Sequence, residues 1–167
     1  DIRIGDTVKI ERAGDVIPHV IAVDLLKRKK DSKKYKFPEH CPSCGSKVVK
    51  EYNNLTKKYD AVRRCTSEGF KCEKISIEKI KHFISKEALN IDGLGKKVIE
   101  NFWNLKFIRF PQDIYKLDFD KIEKMEGWGK LSVSNLKYAI ESTKIISLDK
   151  FIYALGIRHI GQENAKI

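Results

Sequence analysis

All four cysteines of the 167-residue chain lie in one segment, and their spacing is that of a metal site. Cys41 and Cys44 form a C-x2-C pair followed by Gly45, a tight turn in which two thiolates can face one cation. After 20 residues, Cys65 and Cys72 form a wider C-x6-C pair. Thiols stay reduced in a cytosol, which favours a zinc ion bound by all four cysteines over disulfides or unliganded thiols. Four thiolates leave no position for water, so the metal would stabilise the fold and not catalyse.

The residues between the two cysteine pairs predict a β-hairpin that would bring the thiols together. Residues 47–52 and 60–64 have the composition of short strands, and Asn53 and Asn54 supply turn residues. His40 could replace one sulfur, although a histidine beside four complete ligands is more often simply exposed. The zinc would offset the small core available to about 40 residues.

From about residue 75 the apolar residues recur with a helical period, and a five-residue stretch occurs three times. The three stretches are IDGLG at 91–95, MEGWG at 125–129 and IRHIG at 157–161. Each lies between two helical patterns, so the predicted unit is a helix, a tight glycine turn and a second helix. Four positions after each final glycine is an apolar residue expected to pack the second helix on the first: Ile99, Val133 and Ala165. In the helix before the third turn, we expect Ser147 as the N-cap and one apolar face: Leu148, Phe151, Ile152 and Leu155.

The repeated turns predict binding to a nucleic-acid backbone. Amides at a helix start are unpaired and partly positive, and glycine lets a phosphate approach them. Lys96 and Lys130 follow two of the turns, and Arg158 lies inside the third. A single such glycine could merely end a helix, but the recurrence in register favours phosphate binding without base reading. Trp128 is expected in the core, and His159 stands where the other turns have glycine.

The overall charge agrees with a polyanionic partner. Lys and Arg number 34 against 23 Asp and Glu, a net charge of +11. No apolar run approaches the ~18 residues of a membrane span, and the amino end lacks a signal-peptide pattern. We therefore expect a cytosolic protein.

The first 34 residues have a different pattern, with strands predicted at 7–12 and 16–23 around the sequence RAGD. Two strands rarely form a stable domain, so the chain is expected to begin within a β barrel and to end early in the helix after the third turn. Residues 27–36 carry seven cations against Asp31 alone. This segment is either a solvated linker or a strap that contacts phosphates.

The order of these parts resembles the carboxyl-terminal half of bacterial NAD-dependent DNA ligases. The matching stretches are IRIGDTVKIERAGDVIPHV, CPSCG with a second cysteine pair, HFISKEALNIDGLGKKVIENF and ALGIRHIGQENA. The resemblance implies a multi-module α+β chain with three parts. These are a partial β barrel left from an oligonucleotide-binding (OB) fold at 1–34, a four-cysteine zinc module at 35–74, and a mainly α helix-hairpin-helix domain at 75–167, truncated at its C-terminal end.

The resemblance also implies a function in DNA replication and repair. Such an enzyme transfers AMP from NAD to a lysine of a K-x-D-G motif, then to the 5′-phosphate of nicked duplex DNA, and seals the nick with magnesium. This chain has no K-x-D-G motif. The resemblance implies an adenylation domain before Asp1 and a BRCT domain after Ile167, and we expect a monomer in the bacterial cytoplasm, at the nucleoid. The fragment would bind zinc and DNA, without NAD or magnesium and without catalytic residues. The DNA-binding role falls on Gly93, Gly95, Lys96, Gly127, Gly129, Lys130, Gly156, Arg158 and Gly161, and in the barrel on Arg12, Gly14 and Asp15.

Two other functions remain open at this point. A DNA-repair nuclease can carry glycine hairpins in its DNA-binding module, but would lack the RAGDVIP strand pair. A protein-interaction module built on a zinc knuckle would bind duplex DNA little, and its basic charge would be incidental.

Overall fold

The computed structural model describes residues 1–12, 14, 17–54 and 56–167 and divides into two compact units, Asp1–Glu39 and His40–Ile167. In the first unit, β1 (Val8–Arg12) and β2 (Pro18–Val23) pair antiparallel, with a register shift between Lys9 and Ile10. This confirms the predicted strand pair. A 3-10 helix follows at Leu25–Lys27, capped by the Asp24 side chain.

The apolar side chains of the first unit remain exposed. Ile4, Ile10, Ile17 and Leu26 are between 59% and 98% exposed, and neither strand has a buried residue. A two-stranded ribbon with no buried face is marginal by itself. The described part of this unit therefore contributes no core of its own.

Part of the basic segment at residues 27–36 is held by the protein itself. Arg28 donates hydrogen bonds to both carboxylate oxygens of Asp6, at 2.9 and 2.7 Å, and to the Asp1 carbonyl at 2.7 Å. The hydrogen bond from Arg28 lowers the pKa of Asp6. Arg3 also binds the Ser32 carbonyl at 2.7 Å. Arg28 is thus a structural cation, which the charge count alone could not show, whereas the lysines of this segment are exposed.

In the second unit, the predicted hairpin is present as two short antiparallel ladders. β3 (Val48–Val49) pairs with β6 (Arg64–Cys65), and β4 (Tyr52–Asn53) pairs with β5 (Lys58–Tyr59). The strands were predicted as continuous and the turn at Asn53; instead Asn53 pairs with Lys58 inside the outer ladder.

Six helices follow the hairpin. Their bounds are α1 (Glu73–Phe83), α2 (Lys96–Asn104), α3 (Phe119–Glu123), α4 (Lys130–Ser142), α5 (Leu148–Ala154) and α6 (Gln162–Ala165), with a 3-10 helix at Pro111–Lys116 between α2 and α3. Among the described residues, no helix is long and apolar enough to cross a bilayer.

One hydrophobic cluster runs through α1 to α5. Ile80, Ile99, Phe102, Ile108 and Ile122 are fully buried. Val133 and Ala165 are each 7% exposed, so all three positions predicted four residues after a turn are buried. Trp128 packs beside Phe102, with ring centroids 5.7 Å apart, but it is only partly buried and lies at the edge of the core, so its predicted core position holds in part.

The predicted apolar face of α5 is mostly exposed, and of its four residues only Ile152 is partly buried. Leu148, Phe151 and Leu155 are 72%, 45% and 50% exposed, whereas Ala154 is the buried residue of this helix. Periodicity identifies a face but not whether another element covers it.

Candidate metal centre and nucleic-acid interface

The four cysteine sulfurs converge on one point. All lie within 4.8 Å of one another, with 4.0 Å between Cys41 and Cys72 and 3.5 Å between Cys44 and Cys65. A disulfide needs about 2.05 Å between sulfurs. Tetrahedral zinc with bonds of about 2.3 Å separates its sulfur ligands by about 3.8 Å. The donor set and its spacing therefore fit one tetrahedral zinc ion, and among the described residues His40 is not part of the cluster.

Local hydrogen bonds position the first pair. The Gly45 amide donates to the Cys41 carbonyl at 2.8 Å, and the Cys41 amide donates to the Ser46 carbonyl at 2.7 Å. Gly45 has a φ of +73°, which closes the knuckle and which other residues adopt at a cost. Both thiols of the C-x2-C pair are thereby held on the same side of the turn.

The second pair comes from two different elements. Cys65 ends β6, and the Ser67 amide donates to its sulfur at 3.4 Å. Cys72 is buried and is the N-cap of α1. A metal held by this set would join the hairpin to the first helix, which accounts for the wide spacing of the second pair.

The thiols differ in acidity because their surroundings differ. Hydrogen bonds from the Ser46 side chain and amide lower the pKa of Cys44 to about 6. The Ser67 amide lowers the pKa of Cys65, but desolvation and hydrogen bonding with Cys44 and Cys41 outweigh it and raise the pKa to about 11. A divalent cation would favour the thiolate form of all four cysteines, so binding would release protons.

The three repeated turns have the same backbone hydrogen bond. The amide before the final glycine donates to the carbonyl three residues earlier, at 3.3 Å in the first turn, 3.1 Å in the second and 3.0 Å in the third. The third residue of each turn is left-handed: φ is +87° at Gly93, +81° at Gly127 and +68° at His159. The sequence repeat is therefore a structural repeat, and the histidine does not change the turn.

The final glycines Gly95, Gly129 and Gly161 are the N-caps of α2, α4 and α6. Their φ values of −68°, −148° and −85° are accessible to any residue. A Cβ built on any of the three meets nothing within 4 Å. Neither backbone conformation nor packing within the described chain requires glycine here, and helix-ending caps are excluded because these glycines begin helices.

Two of the helices start with a lysine against the helix dipole. Lys96 and Lys130 are the first residues of α2 and α4, and neither helix has an acidic residue in its first turn. A cation at this position is unfavourable for an isolated helix. Both lysines are exposed beside amides that have no intrahelical partner, an arrangement suited to an anion.

The first two turns are close in space. A Cβ built on Gly93 would lie 3.4 Å from a methyl group of Leu136 in α4. Gly93, Gly127 and Trp128 line one groove of about 500 Å³, together with the carboxylates of Asp92 and Glu126. These carboxylates would repel a phosphate inside the groove, so a phosphate contact belongs at the helix-start amides and their lysines.

The third turn has different neighbours. Gly156, at a φ of +63°, lies against His82 of α1, whose Nε2 is 2.8 Å from the Tyr153 carbonyl. Arg158 forms ion pairs with Glu51, and with Asp60 at 3.3 Å, on the zinc-binding hairpin. The side chain predicted to meet a phosphate is thus paired with carboxylates in this structure.

The remaining predicted residues lie in the first unit. Arg12 ends β1 and is exposed, and Gly14, in the loop after it, has a φ of +67°. Asp15 lies outside the described residues.

Several contacts at the site have no signal in the sequence. Glu51 is 107 positions from Arg158, and no spacing rule connects them. A second contact joins residues that are near in sequence. Ser132 Oγ accepts a hydrogen bond from the Gly129 amide at 2.9 Å and donates one to the Gly129 carbonyl at 2.8 Å. With glycine at the N-cap only the Ser132 side chain can make this contact, so the sequence lacks the paired residues of a capping box.

Comparisons with known proteins identify close relatives along the whole chain, although no protein-family model matches. A DNA ligase of Pelagibacter ubique is 71% identical over 167 residues, which are 100% of this chain and 25% of that protein. DNA ligases of Azorhizobium caulinodans and Sinorhizobium fredii are 49% and 47% identical, over 99% and 100% of this chain and 23% and 24% of their own lengths. The chain spans about a quarter of the length of these curated relatives. It is therefore homologous, from end to end, to a segment of proteins named DNA ligase.

Proposed function

We propose that this chain is the duplex-binding portion of an NAD-dependent DNA ligase. The observation that supports it most is the pair of exposed N-cap glycines, Gly95 and Gly129, which the fold does not require and which lysines follow directly. The homology to DNA ligases supports DNA as the partner.

In this proposal the turns hold the sugar-phosphate backbone without reading bases. Unpaired amides at the starts of α2 and α4 donate to phosphate oxygens, and a hydrogen atom in place of a side chain permits their approach. Lys96 and Lys130 neutralise phosphates and release counterions. The net charge of +11 acts in the same direction over longer distances. The third turn contributes less, because its arginine is engaged and α6 has four residues.

The chemistry of sealing lies outside this sequence. The whole protein would adenylate a lysine from NAD, pass AMP to the 5′-phosphate at a nick and join the ends with magnesium. The chain has no K-x-D-G lysine motif, so by itself it binds duplex DNA and does not ligate. Its zinc is structural and fixes the hairpin on α1.

The domain assignment remains part of the proposal. It comprises a partial OB barrel at 1–34, a zinc module at 35–74 and a helix-hairpin-helix domain at 75–167. The whole protein would act as a monomer on nicked duplex DNA in the cytoplasm, during replication and repair.

Replacing Gly95 and Gly129 with serine tests the proposal. Serine fits the φ values and caps helices well, so the fold is retained, but its side chain occupies the space of the phosphate and competes for the amides. Duplex affinity of the 167-residue chain should fall by about tenfold or more for each turn, uniformly over sequence. Fluorescence anisotropy with two unrelated duplexes measures this.

Lys144→Ala is the matched charge control for Lys96→Ala and Lys130→Ala. Lys144 lies beyond the other end of α4, about 20 Å from Gly129. The turn lysines should each reduce the slope of log affinity against log salt by about 0.9, and Lys144 by less. Unchanged affinity in the double serine variant contradicts the proposal, and a negligible duplex affinity of the wild type would favour a protein-interaction module instead.

A further inference from the structure

The outer end of the zinc-binding hairpin carries an exposed pair of tyrosines. Tyr52 and Tyr59 face each other across β4 and β5, with ring centroids 5.1 Å apart in an edge-to-face arrangement. They are 50% and 67% exposed. Single exposed aromatic residues are common, but two adjacent exposed rings on one ladder form a surface.

The hairpin is strongly basic. Residues 47–64 contain six Lys and Arg and only two carboxylates, Glu51 and Asp60. Both carboxylates are engaged by Arg158, and Asp60 also pairs with Arg64 at 3.6 Å. Within the described part of the chain, Lys50, Lys57 and Lys58 have no ion-pair partner. Arginines of the protein therefore neutralise both carboxylates of the hairpin, whereas the lysines near the tyrosines are not neutralised by the protein.

The alternation of side chains separates the two groups. Tyr52 and Tyr59 are directly opposite each other, so they occupy one face of the ladder. Glu51 and Asp60, the neighbours of these tyrosines, point to the other face, which the third turn holds through Arg158. The face with the tyrosines is thus exposed, while Arg158 holds the opposite face of the hairpin.

We propose that this tip, defined by Lys50, Tyr52, Lys57 and Tyr59, is a second nucleic-acid contact and binds unpaired bases where a duplex is interrupted. Aromatic rings stack on any base that is not stacked in a helix, and neighbouring cations hold the connecting phosphates. An intact duplex offers no free base face, so the tip adds affinity at a gap. The inference rests on the proposed DNA-binding function but concerns a surface separate from the glycine turns.

Leucine substitution at both tyrosines tests the inference. Tyr52→Leu with Tyr59→Leu keeps an apolar cross-strand pair and removes the rings, and Tyr138→Leu is the matched control because Tyr138 is 77% exposed on α4. Binding is measured by anisotropy of the zinc-loaded chain, with an intact duplex and with the same duplex carrying a single-stranded gap. Unfolding temperature and zinc content establish that each variant is folded.

The double tyrosine variant should bind the gapped duplex about tenfold more weakly, the effect of about one stacked base, with little change on the intact duplex. Tyr138→Leu should change neither affinity. Tyr52→Phe with Tyr59→Phe should retain the preference for the gap, because the rings remain.

Two results would overturn the inference. One is wild-type affinity of the folded leucine variant for gapped DNA, and the other is an equal loss on both duplexes, which would indicate a backbone contact without stacking. Failure of the glycine-turn proposal gives a different result. In that case Gly95→Ser with Gly129→Ser would leave the affinities for both duplexes unchanged, independently of the tyrosine variants.

Discussion

At the residue scale, the glycines of the turns have two separate roles. Gly93 and Gly127 occupy left-handed backbone, so the fold itself favours glycine there. Gly95 and Gly129 have φ values open to any residue and empty space around a built Cβ, so nothing within the described chain explains why they are glycine. The sequence predicted one role for all of them, because a repeat shows where glycine occurs and not which dihedral it adopts.

His159 shows the same limit. It stands in the place of two glycines, yet its φ is +68° and the turn keeps its hydrogen bond. A left-handed non-glycine residue costs about 1–2 kcal/mol, which the helices packed on either side must offset. The four cysteines, by contrast, were predictable as a cluster, because thiolate spacing around a metal follows directly from coordination geometry.

The metal prediction belongs at this scale. Zinc content of the purified chain should be one ion per molecule by elemental analysis, and Cys65→Ser should reduce it to near zero, because three thiolates hold structural zinc poorly. The unfolding temperature should fall with it. Ser43→Ala, between the first two cysteines, is the control and should retain the zinc. Wild-type protein without zinc, under reducing conditions and without chelators, would contradict the assignment.

At the element scale, the repeat unit was predicted well because local rules govern it. The carbonyl of each final glycine accepts from the amide four residues later, at 3.0 to 3.1 Å, and the residue at that position is buried in every repeat. The face of α5 was not predictable, because its exposure depends on what packs against it. The division of the hairpin into two ladders was not predictable either; the inner one, β3 with β6, includes the metal-ligand candidate Cys65.

Burial at the repeat position predicts stability. Ile99 is 0% exposed, so Ile99→Ala should lower the free energy of unfolding by about 2–5 kcal/mol through lost burial and a cavity. Leu131→Ala, on a residue that is 75% exposed, should change it by less than about 0.5 kcal/mol. Chemical denaturation of both variants measures the difference, and similar values for the two would mean that the repeat does not pack as described.

At the scale of the whole molecule, the total charge must be distinguished from the charge that is free to meet a partner. The excess of cations was readable from composition, but the structure shows which cations are already engaged. Arg28 is bound to Asp6 in the first unit, and Arg158 to Glu51 and Asp60 in the second. Long-range ion pairs leave no periodic trace in a sequence, which is why Arg158 was predicted to bind DNA and the role of the segment with Arg28 stayed open. The cations that remain exposed around the first two turns and the hairpin tip are lysines.

The most direct test of the central claim is to follow the backbone amides while DNA is added. In amide NMR spectra of the zinc-loaded, isotope-labelled chain, titration with a short duplex should shift residues 95–97, 130 and 131 most strongly, since their amides would donate to phosphates. Raising the salt concentration should reverse these shifts. If the amides at both turns stay unchanged while a saturating duplex shifts other parts of the surface, the glycine turns do not bind DNA and the account is contradicted.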